Sequence, residues 1–208
     1  MSETGDRILV AAARLFAERG YDGTSVRAIC EAAETNVNAV SYHHGGKRAL
    51  YQSVINRWGD ERLASAERIL GSPPKDATDL ATRLLIFAEQ TLAAHLAQPQ
   101  PLIVLFTELQ QGFRNCDESS VQALSRHADV LIEFLKAAQR RRLLRKGLDV
   151  DIVAGALSER LNTQVIYASS VEQLYGTSIN DAKYRRHWCR QTIDLLLHGV
   201  ARPMAESS

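Results

Sequence analysis

From Thr24 to Leu50 the chain reads TSVRAICEAAETNVNAVSYHHGGKRAL, and this stretch limits the possible folds more than any other. Apolar residues recur at helical spacing in two short runs separated by a turn-sized gap, and Gly45-Gly46 then breaks the pattern before Lys47 opens a much longer helical run. Two short helices in close succession make a compact pair whose second member can sit in a DNA major groove, about 12 Å wide. Hydroxyls, backbone amides and a Lys beside such a helix suit the phosphates on either side. The chemistry this layout supports is recognition rather than bond making.

Strand patterns are nearly absent elsewhere, whereas three- and four-residue apolar steps recur throughout. A first helix is expected from about Asp6 to Arg19, with Ile8, Leu9, Ala12, Leu15 and Phe16 on one face. Thr4 or Asp6 can cap it, and Gly20 follows its end. Thr24 or Ser25 is expected to cap a second helix to about Ala33, and Asn36 a third to about His43. Lys47 to about Leu70 reads as one long helix, ended by Gly71-Ser72-Pro73-Pro74. Helices are then expected near 76–97, 101–114 and 119–143, from Leu148-Asp149 to about Ser170, and from Asn180 or Asp181 to about Val200. The tail from Pro203 reads as frayed. The expected fold class is all-α: an N-terminal three-helix helix-turn-helix domain, residues 1–47, joined by the long helix at about 47–70 to a second helical domain, residues 48–208.

Charge narrows the partners. Formal net charge is +1 over 208 residues. Through residue 48, Arg7, Arg14, Arg19, Arg27, Lys47 and Arg48 balance Glu3, Asp6, Glu18, Asp22, Glu31 and Glu34. A nonspecific basic coat is thereby excluded, and any polyanion site must come from local placement of charge. Cys30, Cys116 and Cys189 are far apart, odd in number and outside CxxC spacing, as expected of reduced cytosolic thiols rather than a zinc or disulfide frame. The start, MSETGDRILVAAARLF, lacks a basic lead into a long apolar core, and no apolar run approaches the roughly 18 residues of a membrane span. A cytoplasmic protein with no membrane partner is expected.

In the third helix Val37 and Val40 are three apart. With Val40 as the buried anchor, Asn38, Ser41 and Tyr42 project outward. Asn presents a donor–acceptor edge suited to adenine, Ser pairs with several bases, and Tyr serves a phosphate or a thymine methyl. His43, Lys47 and the amides opening the long helix are placed for phosphate. Singly, Asn36 can be only a cap, Tyr42 a packing residue and Lys47 a solvated one. Together, capping, spacing and charge agree.

Residues 7–58, with RILVAAARLFAERGYDGTSVRAI followed by AETNVNAVSYHHGGKRALY, resemble the DNA-binding domain of the tetracycline-repressor (TetR) family over about a quarter of the chain. The resemblance implies that outward residues of the third helix read bases and that Tyr42, His43 and Lys47 grip phosphates. It further implies that Arg27 reaches a base edge and that Ser25 meets a phosphate. The expected DNA-contacting set is Ser25, Arg27, Asn36, Val37, Asn38, Ser41, Tyr42, His43 and Lys47. His44 departs from the family pattern, which has Phe at this core-packing position. For the C-terminal part the resemblance implies a ligand pocket and a dimer interface, and for the activity a ligand-relieved repressor on a palindromic operator, with no cofactor.

The dimer interface is expected on the last two long helices. Ile152, Val153, Ala156 and Leu157 form one apolar stripe, and Trp188, Thr192, Leu195, Leu196 and Gly199 the other; the same stripes can also pack inside the subunit. A pocket is expected between the linking helix and the helices near 76–143, lined mainly by Leu, Ile and Phe. Phe87, His95, Phe106, Glu108 and Phe113 are its candidate residues, implying a small apolar or amphipathic effector. Glu108, within PLIVLFTEL, is either a buried acid facing a ligand or the partner of a nearby Arg. The basic block Gln139–Lys146 ends a helix, where cations meet the negative end of the dipole; a solvated terminus is favoured over a second DNA contact.

Other classes fare worse. Gly45-Gly46-Lys47 lacks the first Gly and the Ser or Thr of a phosphate loop, having Ser41 and Arg48 there, and follows no strand. His43-His44 has no third metal ligand nearby, and His95, His127, His187 and His198 are isolated in sequence. A helical-bundle enzyme would need a catalytic constellation in the C-terminal half, and none is legible. A DNA-binding scaffold dimer that senses nothing is the remaining alternative.

Overall fold

The computed structural model describes residues 2–199. Among them are ten helices and no strand: α1 Glu3–Arg19, α2 Val26–Ala32, α3 Asn38–His44, α4 Lys47–Leu70, α5 Ala77–Ala97, α6 Gln100–Gln111, α7 Glu118–Arg140, α8 Val150–Ile166, α9 Ala168–Tyr175 and α10 Ala182–His198. None is long and apolar enough to cross a membrane.

Three expected caps are corrected. α1 starts at Glu3 because Ser2 Oγ accepts from Gly5 N at 3.2 Å, which leaves Thr4 and Asp6 inside the helix. Thr24 is no cap: it is buried, and its hydroxyl donates to the carbonyls of Leu15 (3.1 Å) and Gly20 (2.8 Å), tying down the end of α1. Ser25 caps α2 alone, accepting from Ala28 N at 3.1 Å. Asn36 does not cap α3 either. Val37 already has helical φ and ψ (−60°, −31°) and is the first flanking residue, so only the Asn36 carbonyl takes part, accepting from Ala39 N.

Some boundaries shift as well. α6 stops at Gln111 and not near 114, because Gly112 and Phe113 both enter the left-handed region (φ 66° and 59°). α7 stops at Arg140 rather than 143, ahead of a left-handed Arg142 (φ 60°). The helix expected to reach Ser170 breaks at Tyr167 (φ −100°, ψ 13°) and resumes as the short, unburied α9. α10 ends at His198 before Gly199, φ 72°; Val200 and the tail from Pro203 lie outside the described residues.

Two regions of one continuous core result. Ile8, Ala12, Leu15 and Phe16 of α1, Ile29 and Cys30 of α2 and Val40 of α3 close around Leu50, Tyr51 and Val54 at the start of α4. Phe16, Tyr21 and Tyr51 form an aromatic knot there, with centroids 4.8–6.1 Å apart. Further along, α4 runs beside α7 so closely that a Cβ on Gly59 would lie 2.9 Å from the Ala123 carbonyl oxygen. α5, α8 and α10 complete this second region through Leu84, Leu92, Leu157, Leu161, Cys189 and Ile193. α4 therefore belongs to both regions, and a displacement along it is felt in each.

Candidate nucleic-acid interface and internal cavity

On α3 the apolar spacing divides the faces as expected. Val40 is fully buried and Ala39 nearly so, while Val37, Asn38, Ser41 and Tyr42 face outward; Tyr42 is 85% exposed. Asn36 is exposed ahead of them. Gly45 and Gly46, with φ 73° and 106°, let the chain turn directly from α3 into α4. α4 opens without any side-chain cap, so its first amides have no partner of that kind.

The flanking groups are held in place. The Lys47 amine lies 4.2 Å from the Tyr21 ring centroid, a cation over an aromatic face. His43 packs edge-on against Tyr42 at 4.9 Å, and its Nδ1 is 3.2 Å from Ser2 Oγ. His44, at the position where Phe would fill the core, is half-buried and donates from Nε2 to the Gly5 carbonyl at 3.0 Å. That bond gives the polar ring a partner where the expected apolar contact is missing. Arg27 is exposed and pairs with Glu31 one helical turn on (2.9 Å). Pairs of this kind contribute only about 0.3–0.5 kcal/mol, so Arg27 is readily released.

Of the expected pocket residues, two face a common void. Phe87 and His95 of α5 line a cavity of about 10 Å³ beneath α4, with Arg62 and Ser65 of α4, Thr91 of α5, His127 of α7, and Ser158, Leu161 and Asn162 of α8. Most of the lining residues carry a polar group, unlike the Leu, Ile and Phe lining expected, although the surface they turn to the void is mainly apolar, and α6 contributes none of them. Phe106 and Phe113 pack partly buried against the core elsewhere. Glu108 is fully buried outside the cavity and, among the described residues, pairs with no Arg. It accepts from Tyr51 Oη (2.6 Å), Asn115 N (3.1 Å) and Asn115 Nδ2 (2.9 Å), a set that leaves it satisfied without a ligand. Burial, with this carboxylate beside them, pushes the Tyr51 phenol up and the Cys116 thiol up to about 12.

The cavity wall carries the groups that reading the sequence missed. In sequence Arg62 lies four residues from both Trp58 and Ala66, among apolar residues of the linking helix, and His127 is isolated. Folding stacks His95 on Trp58 at 5.5 Å and sets His127 edge-on to the same ring at 5.8 Å. Burial, then Arg62 and His127, lower the His95 pKa to about 3; burial also lowers His127, and pulls Arg62 below its usual range. Among the described residues, both ring nitrogens of His95, Nδ1 of His127, Nε of Arg62 and Nε1 of Trp58 are buried without hydrogen-bond partners of good geometry. A larger groove, about 1070 Å³, runs between α1, the α2–α3 turn and the α5–α6 connection, past Val10, Arg14, Glu34 and Gln98. It opens to solvent, so water satisfies its polar groups.

The expected dimer residues also divide. Ile152 (69% exposed), Ala156 and Leu195 (43% exposed) face outward, and Val153, Trp188 and Leu196 are half-buried. Leu157 and Thr192 are buried within the subunit. Leu157 joins the core, and Thr192 Oγ1 accepts from Arg160 Nε at 3.0 Å, beneath a guanidinium stacked on Trp188. They cannot meet a partner without unfolding this packing. Gly199 lies past the end of α10 as its exposed cap.

Comparison with known proteins agrees with this architecture. The family described as "Bacterial regulatory proteins, tetR family" matches residues 8–54. The HTH-type transcriptional repressor NicS of Pseudomonas putida is 25% identical over 204 residues, covering 96% of this chain and 93% of NicS. Among solved structures, the TetR-family regulator PfmR of Thermus thermophilus superposes with a TM-score of 0.73 at 22% identity, covering 97% of this chain and all of PfmR. The regulator FadR of Bacillus subtilis, solved in complex with stearoyl-CoA, superposes at 0.70 with 16% identity over 94% of this chain and 99% of FadR. With a helix-turn-helix at the N-terminus and a helical C-terminal domain behind it, residues 8–54 match the tetR family of bacterial regulatory proteins, and the described chain is similar in fold to TetR-family regulators along nearly its whole length.

Proposed function

We propose that residues 1–47 bind a palindromic operator as half of a homodimer, that residues 48–208 hold the dimer together, and that a small molecule in the cavity beneath α4 releases the DNA. The observation that carries the DNA-binding part is the division of α3. Val40 anchors it, while Val37, Asn38, Ser41 and Tyr42 make one contiguous outward face. In this reading Asn38 and Ser41 read base edges, with Asn36 and Val37 at the rim and Arg27 reaching in from α2. Ser25, Tyr42, His43, Lys47 and the first amides of α4 hold phosphates. A two-fold dimer fits a palindrome when its two α3 helices lie about 34–36 Å apart.

The cavity supports release by a ligand because it is nearly full. About 10 Å³ holds roughly one water, so an organic molecule enters only by displacing its walls, one of which is α4. Arg62 stands about 22 Å along that helix from Lys47, at 1.5 Å per residue, and a tilt at one end swings the other. The ligand need only bind the displaced spacing better than the DNA-matched one. Repression is favoured over activation by the full-length likeness to NicS, named as a repressor, and the likeness to FadR, solved with a small-molecule complex, supports sensing.

Footprinting on the DNA upstream of the protein's own gene, with and without a panel of small metabolites, tests both parts. Protection of an inverted repeat with half-sites one turn apart is expected. The salt dependence should be shallow, because only a few phosphates per half-site meet a cation. Protection without two-fold symmetry, or a slope as steep as that of a heavily basic protein, counts against this reading.

A further inference from the structure

The cavity beneath α4 collects positive and proton-donating groups and, among the described residues, no acid. Arg62 makes no ion pair among the described residues, and its Nε has no acceptor. Its neighbour Glu61 is engaged by Arg57 at 3.2 Å, and Asp129, which acts on His127, lines a different groove. His95, only 2% exposed, has neither ring nitrogen partnered among the described residues, and half-buried His127 has only the nearby Leu124 carbonyl as an acceptor, with no bond of good geometry to it. Among the described residues, neither Asp nor Glu lines the wall. Arg62 is half-buried with its Nε sealed from solvent; a partly buried guanidinium without a counter-ion is costly, and orphaned buried polar atoms are rare. One water cannot resolve this: it satisfies two to four hydrogen bonds at most and supplies no charge.

We infer that this cavity is the head-group site of a small organic monocarboxylate. Two carboxylate oxygens match the planar fork of Arg62 and accept from the imidazoles of His95 and His127. Phe87 and Leu161, the apolar part of the wall, take a compact hydrocarbon body, and Thr91, Ser158 and Asn162 offer further polar contacts. One permanent cation is balanced by one negative charge, so a monoanion fits better than a phosphate dianion. The effector class is therefore an anion held by its head and not the mainly apolar molecule expected from the aromatic spacing. The inference deepens the sensor reading above, since Arg62 sits on the helix that leads to the DNA-binding unit.

The test titrates the full-length protein with formate, acetate and benzoate, with benzamide as the neutral counterpart of benzoate, and with inorganic phosphate. Calorimetry, thermal shift and histidine ring NMR are the readouts, on wild type and on Arg62→Met and His95→Gln. Benzoate should bind at least about tenfold more tightly than benzamide, the advantage expected of a charge-assisted fork, and should move the His95 and His127 resonances. Arg62→Met removes the unpaired charge, so its ligand-free Tm should equal or exceed that of wild type while the preference for benzoate disappears. A merely structural Arg62 would instead lower the Tm on substitution. The inference is overturned if no carboxylate of the series binds, if benzamide or phosphate binds as well as benzoate, or if Arg62→Met keeps the preference. Operator release is measured in parallel. Neutral molecules that release DNA while carboxylates do not would leave the sensor reading standing and sink the anion site; carboxylates bound at Arg62 without DNA release would do the reverse.

Discussion

In the proposed DNA interface Asn38 would read a base edge and Lys47 would hold a phosphate, so their substitutions should differ in kind. Lys47→Ala should weaken binding to all sequences alike and flatten the log–log salt dependence by about one unit. Asn38→Ala should leave that slope alone and relax base preference at one position per half-site, costing about 1–3 kcal/mol of discrimination. Fluorescence-anisotropy titrations at several salt concentrations, on the operator and on its single-base variants, separate the two. Tyr51 supports both by position: its hydroxyl on Glu108 ties the start of α4 to α6. Tyr51→Phe should lower stability by about 1–3 kcal/mol, because Glu108 stays buried and loses a donor; an unchanged denaturation midpoint would show that bond to be idle. The third helix was legible residue by residue because a single three-residue step, Val37 to Val40, decides its inward face, and Val40 is indeed the buried one. Arg62 and His127 were not. An Arg inside an apolar stripe and a lone His have no local meaning until folding brings them to one wall 65 positions apart in sequence. The first cap failed for a similar reason: spacing points to Thr4 or Asp6, and only the fold shows that Ser2 Oγ, accepting from Gly5 N, sets the start of α1.

Among the elements, α4 and α7 set the mechanical relation between the two halves. Gly59 lets them approach, since a Cβ there would lie 2.9 Å from a backbone oxygen that cannot rotate away. Gly59→Ala should therefore pry α4 from α7 and cost about 1–3 kcal/mol, as overpacking does, despite the roughly 1 kcal/mol gained in helix propensity. If α4 transmits the ligand signal, the same substitution should weaken operator binding with no ligand present. Differential scanning calorimetry and an operator titration on one preparation check both effects, and a variant with wild-type values for each would show that this contact does not govern α4. Long helices such as α4 and α5 could be read from sequence because their apolar stripes persist over many turns and Gly, Pro or Asp mark their ends. The break at Tyr167 could not, because neither Gly nor Pro interrupts VIYASSVEQLY and the restart at Ala168 keeps a helical composition.

At the scale of the whole molecule, the buried histidines couple stability to acid. Folding lowers the His95 pKa to about 3 from an ordinary 6.5, mainly by burial, so between those values the unfolded chain binds a proton that the folded chain does not. Stability then rises with pH across that window, and each unit below 6.5 should remove about 1.4 kcal/mol, with His127 acting in the same direction. His95→Gln should lessen the fall in Tm between pH 6.5 and 5, and an identical profile in wild type and variant would assign the acid sensitivity to other groups. The proposed dimer rests on what the subunit leaves uncovered. Leu157 and Thr192 are spent inside it, whereas Ile152 on α8 and Leu195 on α10 are large apolar side chains left facing solvent beside the half-buried Val153, Trp188 and Leu196. Covering this surface with its two-fold copy would make a four-helix bundle from α8 and α10 and would set the separation of the recognition helices. Leu195→Glu is the sharper probe of that interface: Leu195 is already 43% exposed, so the charge is tolerated in an isolated subunit but costly once buried in a seam. Sedimentation should find this variant monomeric with its helical circular dichroism intact. Its operator affinity should drop with the loss of the second half-site, because two linked contacts bind far more tightly than one. A folded Leu195→Glu protein that still sediments as a dimer would place the interface on another face, the exposed Tyr167, Leu174 and Tyr175 around α9 being the next to test.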